Sequence, residues 1–213
     1  MSLPEKKKVN CPKCGKEIEF TMWNSINTQM DFAVKDIISG DLFRIECPEC
    51  GFEVLVKYPI LFNDMNHGVM IQYLPPEAGE PDERARELIQ KGGIDYRLVK
   101  TQEALREKTM IFNEGLDDRI IELEKILLIK QIEDQIGDRK LQEMYFNVAD
   151  SGYRMELVLD GEQAFINVNG EAYDALAEDE DIKAYLEAHR KDIVIDVDWA
   201  LDALKEILNE SET

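Results

Sequence analysis

Histidine is scarce in this chain of 213 residues, which has only two. A hydrolytic zinc site usually takes histidine among its three protein ligands, so such a site is hard to build from His67, in an apparent turn, and His189, at an apparent helix end. The chain also lacks a glycine-rich phosphate loop, a nucleophile elbow and a serine–histidine–aspartate arrangement with a usable histidine. We therefore assign no catalytic residue and no residue that binds an organic cofactor.

Long apolar runs are also missing. No stretch approaches the roughly 20 apolar residues that a membrane-spanning helix needs, although a hydrophobic content of 44% is ample for packed cores. The first eight residues, Met-Ser-Leu-Pro-Glu-Lys-Lys-Lys, do not resemble a secretory signal. We expect a cytoplasmic protein with no membrane partner.

Basic residues are outnumbered, with 25 lysines and arginines against 45 acidic residues and a net charge of −20. Residues 141–213 hold 19 acidic and five basic residues, and so contribute −14 of that total. Nucleic-acid binding depends on neutralising phosphates with lysine and arginine, and the one basic cluster, Lys6 to Lys8, has three members beside an acidic residue. The composition therefore argues against a nucleic-acid partner and favours a protein partner, with a basic one the natural match.

The few cysteines present form two matched knuckles, Cys11-Pro12-Lys13-Cys14-Gly15 and Cys47-Pro48-Glu49-Cys50-Gly51. In each, proline fixes φ near −65° and starts a tight turn, and the glycine after the second cysteine can adopt positive φ. Together they supply four thiolates, the full ligand set of tetrahedral zinc with Zn–S distances of about 2.3 Å. We predict that Cys11, Cys14, Cys47 and Cys50 bind Zn²⁺.

Three other interpretations of the knuckles are possible. A disulfide framework is disfavoured by the expected reducing cytosol, and thioredoxin-like redox chemistry usually needs a single Cys-x-x-Cys on a βαβ unit. Iron remains an alternative to zinc, because four thiolates suit both metals. In either case four protein ligands leave no open position for water or substrate, which indicates a structural site.

Residues 1–75 are predicted to form a zinc-ribbon-like antiparallel sheet with an inserted helix. Apolar residues at Ile18, Phe20 and Met22 have the period of a strand. Between the knuckles, residues 30–38 have the apolar period of an amphipathic helix, which Gly40 can terminate in the left-handed conformation.

The rest of the chain is predicted to complete an α+β protein. Residues 76–81, rich in proline, form a predicted linker, and residues 82–140 a helical segment in which Thr101 caps one helix and a longer helix covers 116–136. A Gly92-Gly93 break separates the first helix of that segment from the strand that follows. Residues 141–213 form a small acidic α+β domain with three strands, separated by Asp-Ser-Gly and Asp-Gly turns, then three helices and a further strand at 193–197.

Carboxylates cluster at two places where helices are predicted to begin. In the acidic run Glu178-Asp179-Glu180-Asp181, the favoured role is capping of backbone N–H groups. At the other, Asp118 shares a helix face with Glu114 and Glu122, which would allow a weak Mg²⁺ site, while the simpler reading is that Asp117 caps the helix and Arg119 pairs with it.

Several segments beyond the knuckles are characteristic of one family. These are Trp23-Asn24-Ser25-Ile26-Asn27, Ile38-Ser39-Gly40-Asp41-Leu42-Phe43, Tyr58-Pro59-Ile60-Leu61-Phe62-Asn63-Asp64-Met65, Tyr96-Arg97-Leu98-Val99-Lys100, Glu107-Lys108 and Gly115-Leu116-Asp117-Asp118-Arg119. With both knuckles they make the chain, to about residue 140, resemble the CpXC family, a bacterial and archaeal group of zinc-ribbon-like proteins. The resemblance implies a zinc-bound domain and carries no assigned activity.

The sequence as a whole favours a non-enzymatic protein-interaction or scaffold protein stabilised by structural zinc. Two alternatives stay open: an enzyme with a carboxylate and Mg²⁺ site between domains that includes Asp118, and a ribbon that binds nucleic acid through Lys6, Lys7, Lys8, Lys13 and Lys16.

Overall fold

A computed structural model describes residues 4–91, 93–150 and 152–211, without the side chains of Arg84, Glu210 and Ser211. Gly92 of the predicted break and Ser151 of the predicted turn lie outside the described residues, as do the first three residues of the chain. The chain divides into two compact units, Met1–Thr109 and Met110–Thr213. Both contain helices and strands, so the α+β class predicted from sequence is confirmed.

The N-terminal unit is built mainly of short strands, with a few helices between them. Along the chain its elements are β1 (Pro4–Asn10), β2 (Glu17–Trp23), β3 (Ser25–Asn27), α1 (Ala33–Ser39), β4 (Arg44–Glu46), β5 (Glu53–Leu55), β6 (Ile60–Asp64), β7 (Val69–Tyr73), α2 (Glu83–Lys91), β8 (Asp95–Val99) and α3 (Gln102–Asn113), which spans the division between the units. Helix α1 is the predicted inserted helix, and Gly40 ends it with φ 80° as expected.

Two antiparallel hairpins, β1–β2 and β4–β5, flank the two knuckles, while a separate sheet has the order β3-β6-β7-β8. In that sheet β6 and β7 are antiparallel, but β3–β6 and β7–β8 are parallel. The sheet is therefore mixed and not antiparallel throughout. The reason is that β3 reaches β6 through α1 and the second hairpin, and β7 reaches β8 through α2; crossovers of this kind bring strands back in the same direction.

One face of the mixed sheet is buried in the core of the unit. Ile60 and Phe62 of β6, and Ile71 and Tyr73 of β7, are each exposed by no more than 1%. They alternate along their strands, as the period of two requires for residues on a single face.

The predicted linker contains a short 3₁₀ helix, Pro76–Ala78, and the sheet does not end before it. Strand β8, on its far side, pairs in parallel with β7 from Val69↔Asp95 to Tyr73↔Val99. The division of the chain into domains 1–75, 82–140 and 141–213 stays a prediction.

The C-terminal unit begins with a long helix and continues with a meander of strands. Its elements after α3 are α4 (Asp118–Ile136), β9 (Leu141–Ala149), β10 (Gly152–Leu159), β11 (Glu162–Asn167), α5 (Glu171–Glu178), α6 (Glu180–Ala188) and α7 (Val197–Ser211). The three strands form an antiparallel sheet in the order β11-β10-β9. Among the described residues, no helix has the length and apolar character needed to cross a membrane.

Helices α4 to α7 share one apolar cluster. Its most buried members are Leu123 of α4 and Ala200 and Ala203 of α7, all at 0% exposure. Ile182 of α6 and Leu176 of α5 belong to the same cluster. The apolar stripe that predicted α4 from sequence is therefore used as core.

The strand predicted at 193–197 is wrong. Residues 192–195 form a loop, and Val197 already begins α7. Ile195 is only 3% exposed, so its apolar character serves to anchor the loop to the core. Asp196 stabilises the helix start, because its carboxylate accepts from the N–H of Trp199 at 3.0 Å.

Three predicted helix caps are confirmed by hydrogen bonds. The Thr101 hydroxyl accepts from the N–H of Ala104 at 3.0 Å. The Asp117 carboxylate accepts from the N–H of Arg119 at 2.9 Å and also binds its guanidinium. In the acidic run 178–181, Asp179 is the residue that caps α6. Both clusters of carboxylates that the sequence places at helix starts therefore have a structural role.

Candidate metal centre

The first knuckle is a tight turn that follows β1. The N–H of Cys11 donates to the carbonyl of Lys16 at 2.8 Å, and the N–H of Gly15 donates to the carbonyl of Cys11 at the same distance. Gly15 has φ +75°, a conformation that costs little only for glycine. The turn therefore needs glycine after the second cysteine, as the sequence indicated.

The second knuckle, after β4, repeats this hydrogen-bond pattern. The N–H of Cys47 donates to the carbonyl of Phe52 at 2.9 Å, and that of Gly51 donates to the carbonyl of Cys47, also at 2.9 Å. Gly51 has φ +64°. Each knuckle thus places its two cysteines on the same turn of backbone, with the hairpin strands holding the turn on either side.

The two knuckles face each other and bring all four sulfurs together. Cys11 Sγ lies 3.6 Å from Cys50 Sγ, and Cys14 Sγ lies 3.6 Å from Cys47 Sγ. All four Sγ atoms lie within 4.8 Å of one another. This spacing is close enough for the four cysteines to hold a single metal ion.

Burial of the four cysteines is unequal. Cys11 and Cys47, the first residue of each knuckle, are buried, whereas Cys50 is half-buried and Cys14 is exposed. The cysteines are free thiols without disulfide bonds. Sulfurs 3.6 Å apart are also well beyond the roughly 2.05 Å of an S–S bond.

The apolar cluster around the cysteines is very small. Cys11, Ile18 and Cys47 are its buried members, with Val9, Ile45, Cys50 and Val54 packed against them in part. Two of the three buried residues are therefore cysteines of the site itself. A cluster of this size provides little hydrophobic stabilisation, because a fully buried aliphatic side chain contributes only about 1.5–3 kcal/mol.

The crowded thiols have very different acidities. Burial raises the pKa of Cys11, but the backbone N–H groups of Cys14 and Lys13 outweigh it and bring that pKa down to about 7. For Cys14, the N–H of Lys16 lowers the pKa, while partial desolvation of its sulfur within the cluster and the neighbouring sulfurs raise that pKa to about 12. Several thiolates so close together repel one another, and a bound cation would remove that repulsion.

Neither histidine belongs to this group. His67 lies in the turn after β6, where its Nδ1 is 2.8 Å from a carboxylate oxygen of the buried Asp64. His189 follows α6 and stacks on Tyr185, with ring centroids 3.9 Å apart. Both histidines thus have structural positions at the ends of elements, in agreement with the sequence-based interpretation.

The carboxylates considered for Mg²⁺ do not form a metal-binding group among the described residues. The four cysteines alone bring together three or more histidine, cysteine or acidic ligand atoms there. Asp118 is fully buried, and Glu122 forms an ion pair with Lys125, with 3.0 Å between Glu122 Oε1 and Lys125 Nζ. Nothing in this arrangement adds support to the magnesium alternative.

The basic cluster on β1 is paired with acids of the same hairpin. Lys6 pairs with Glu19, and Lys8 pairs with Glu17 at 2.6 Å, a contact whose hydrogen bond raises the pKa of Lys8. Lys7 pairs with Glu5 at 2.6 Å. The hairpin therefore presents lysines and glutamates in alternation, which is a poor surface for phosphates.

Sequence reasoning missed one feature, a cavity of about 570 Å³ in the N-terminal unit. Polar side chains at its wall include Asn27, Asn63, Gln72 and Tyr96. These residues lie on four different strands, so only the strand register brings them together. The signal available in the sequence was the position of three asparagines, Asn24, Asn27 and Asn63, within the Trp23 and Tyr58 segments.

Fold and site together define a class of α+β protein in which two Cys-Pro-x-Cys-Gly knuckles, carried on hairpins, enclose a ribbon-type four-cysteine centre. Residues 9–125, more than half of the chain, match the family model described as CpXC protein. The chain belongs to the CpXC family, as the segments identified in the sequence predicted. It matches no curated protein and no solved structure.

Proposed function

We propose that this chain is a non-enzymatic interaction protein whose N-terminal ribbon is stabilised by one structural Zn²⁺ ion bound by Cys11, Cys14, Cys47 and Cys50. The observation that carries the proposal is the mutual approach of the four sulfurs to within 4.8 Å. For Zn–S bonds of about 2.3 Å, the edge of a regular tetrahedron is about 3.8 Å. The two closest sulfur pairs, at 3.6 Å, are near that value.

A structural role follows from the ligand set. Four cysteines fill the tetrahedron, so no position is left for water or a substrate. The ribbon also needs the ion for stability, because only Cys11, Ile18 and Cys47 are buried in its cluster. Apparent zinc-binding energies of about 10–16 kcal/mol in small zinc domains far exceed what such a cluster supplies.

Support for a protein partner comes from helix α7 of the C-terminal unit. Val197, Leu201 and Leu208 are 44%, 40% and 65% exposed. Their spacing of four and seven residues places them on one stripe of the helix. An exposed apolar stripe on a helix is a common feature of protein-binding surfaces.

The chemistry of the partner is suggested by charge. Acidic side chains at Asp198 and Glu206 are exposed on the same helix, and residues 141–213 carry a net charge of −14. A complementary surface would present apolar side chains to the α7 stripe and lysine or arginine around them. A basic protein is therefore the partner that this unit fits.

The metal assignment is tested by elemental analysis of the full chain purified without added metal. We expect one zinc per chain. Cys14→Ser should reduce zinc retention after dialysis, whereas Lys13→Ser, a neighbouring exposed position in the same knuckle, should retain one equivalent. Iron in place of zinc would overturn the metal assignment, and full retention by Cys14→Ser would overturn the ligand assignment.

The partner assignment is tested by photo-crosslinking in the native host. A photoreactive residue at position 201 should capture a basic protein, and capture should weaken at high salt because charge complementarity is screened. The same residue at Lys183, an exposed position on α6, serves as the control. Equal capture from both positions would overturn the assignment of the α7 stripe.

A further inference from the structure

The cavity in the N-terminal unit lies on the second face of the mixed sheet. Ala85 and Leu88 of α2 line one side, and residues of β3, β6, β7 and β8 form its floor. Its volume of about 570 Å³ falls within the roughly 300–1,000 Å³ typical of small-molecule sites. The opposite face of the sheet is core, so the sheet provides a rigid floor.

Strand register arranges the floor in two rows. One row runs across the strands through Asn27, Asn63, Met70 and Tyr96, which are successive partners in the ladder. The neighbouring row includes Gln72, two residues along β7 from Met70 and therefore on the same face. The pleat of the sheet thus directs three carboxamides and one phenol to the same side.

The carboxamides are held so that hydrogen-bonding groups remain available. The Tyr96 hydroxyl donates to Gln72 Oε1, which leaves the Gln72 NH₂ group to donate. The side-chain oxygen of Asn27 accepts from the N–H of Gln29 at 2.9 Å, so the NH₂ group of Asn27 is also left to donate. Asn63 has no side-chain hydrogen bond within the described part of the chain, so both its donor and its acceptor are available.

The charge of the wall selects against anions. Asp82 is the one charged side chain among the residues described at the wall, and no lysine or arginine accompanies it. Burial and the nearby Asp82 raise the pKa of Tyr96 to about 12, so its hydroxyl stays a neutral donor at physiological pH. Among the side chains that the structure describes there, a phosphate would face a carboxylate without a compensating cation, so the described wall favours an uncharged ligand.

The cavity also accounts for family segments that the metal centre does not use. More than half of its lining residues lie in the Trp23–Asn27 and Tyr58–Met65 segments, among them Asn24, Asn27 and Asn63. None of these residues is in the cysteine group. Their presence at one wall indicates a second role for the N-terminal unit.

We infer that this cavity binds an uncharged purine nucleoside of the adenine type. Asn63, whose donor and acceptor are both available, can pair in bidentate fashion with the N6 and N7 edge of adenine, which offers one donor and one acceptor. The NH₂ groups of Asn27 and Gln72 can donate to other acceptor atoms of the nucleoside. Met70 and Tyr96 supply an apolar and aromatic floor for the ring. The Asp82 carboxylate can accept hydrogen bonds from the two ribose hydroxyls, because an ionised carboxylate is an acceptor with two oxygens.

Binding is tested on the full zinc-loaded chain by calorimetry with adenosine, adenine, adenosine 5′-monophosphate and glucose. We expect adenosine to bind and the monophosphate to bind about tenfold more weakly or not at all, since its phosphate brings negative charge next to Asp82. Glucose should not bind. Binding of glucose but not adenosine, tighter binding of the monophosphate, or no binding by any of the four would overturn the inference.

Variants locate the ligand in the cavity. Gln72→Leu should weaken adenosine binding about tenfold, the effect of losing roughly one hydrogen bond. Gln90→Leu, which replaces an exposed carboxamide of α2 outside the cavity, should leave binding unchanged. Equal effects from both variants, with circular dichroism showing both folded, would place the ligand elsewhere.

A substitution at Asp82 tests the contact with the ribose separately from the contacts with the base. Asp82 accepts from the N–H of Ala85 at 2.8 Å and so caps α2, a role that asparagine also performs well. Asp82→Asn should therefore keep the fold while weakening adenosine and leaving free adenine unaffected. An equal loss for adenosine and adenine would contradict the assignment of Asp82 to the ribose.

Discussion

Cys14 and Cys47 stand 33 residues apart in the sequence, yet their sulfurs lie 3.6 Å apart. Between them the chain forms β2, β3, α1 and β4 before it returns to the site. A metal bound by these two residues and their knuckle partners closes a long loop, and such closures restrict the unfolded chain strongly. The first prediction depends on this relationship.

Removal of the metal from the full chain should unfold the ribbon. A strong chelator, with metal loss confirmed by elemental analysis, should abolish the hydrogen-exchange protection of β1, β2, β4 and β5 and lower the melting temperature, because the buried cluster there is too small to persist alone. Protection in α4 and α7, which have their own core, serves as the internal control. An unchanged melting curve after confirmed metal loss would contradict the prediction.

Gly51→Ala should weaken metal binding through backbone strain. At φ +64° an L-residue costs about 1–2 kcal/mol, so we expect roughly tenfold lower affinity in competition with a chromogenic chelator. A Cβ would meet Glu46 Oε1 at 3.6 Å, an ordinary contact, so lack of space is not the cause. Gly51→Asn should lose less metal affinity than Gly51→Ala, since asparagine tolerates this conformation. An equal loss of affinity in the two variants would argue against backbone strain as the cause.

Asp179→Ala should destabilise the C-terminal unit by about 0.5–2 kcal/mol in denaturant unfolding. The carboxylate of Asp179 accepts from the N–H groups of Asp181 and Ile182, both at 3.0 Å, at the start of α6. Asp179→Asn retains the capping oxygen and is the matched control. If the asparagine variant is as unstable as the alanine variant, the effect is not due to capping.

Glu124→Gln should stabilise the protein at neutral pH. Burial, with a contribution from the charge of Asp174, raises the pKa of Glu124 above its ordinary value. The folded state therefore holds this proton more tightly than the unfolded state, and the associated stability is lost as pH rises through the raised pKa. Above the raised pKa, the free energy of unfolding should be larger for the variant than for the parent protein. Below the ordinary pKa of a glutamate, the two proteins should be equally stable. Glu133→Gln, which removes a carboxylate from an exposed position of the same helix, is the matched control, and an equal gain in stability from both variants would contradict the role of burial.

Ile195→Ala should cost about 2–5 kcal/mol, because it empties a core position at 3% exposure. Its neighbour Val194, 43% exposed, provides the control, and Val194→Ala should change stability by no more than about 0.5 kcal/mol. Similar losses at the two positions would mean that the loop is not anchored through Ile195.

The features predicted correctly from sequence are those decided by local chemistry. The knuckles follow from proline and glycine at fixed offsets from cysteine, and the end of α1 follows from Gly40 in the left-handed region. Capping by Asp117 and by the acidic run 178–181 is predictable because the orphan N–H groups of a helix start need an acceptor nearby, and the structure shows that Asp179 is the member of the run that caps α6. The hairpin between β10 and β11 follows in the same way from Asp160 and Gly161, both with positive φ.

What could not be predicted depends on contacts between distant segments. Strand β3 has only three residues, and its parallel partner β6 follows a long crossover, so no local pattern marks the pair. Residues 193–197 have the composition of a buried strand, but an apolar run indicates burial and not pairing. The cavity was missed for the same reason, since Asn63 and Gln72 become neighbours only through the register of β6 and β7.

The parallel pairing of β7 with β8 has a consequence for the order of events during synthesis. Until Val99 has left the ribosome, the backbone N–H and C=O groups along one side of β7 have no strand to bind. A nascent chain that stalls or is cut near Pro75 would therefore carry an open strand edge, a template for association with other chains. Residues 1–75 expressed alone contain all four cysteines but should aggregate through this open edge of β7. Extension of the fragment to Val99 adds β8 and so covers the edge.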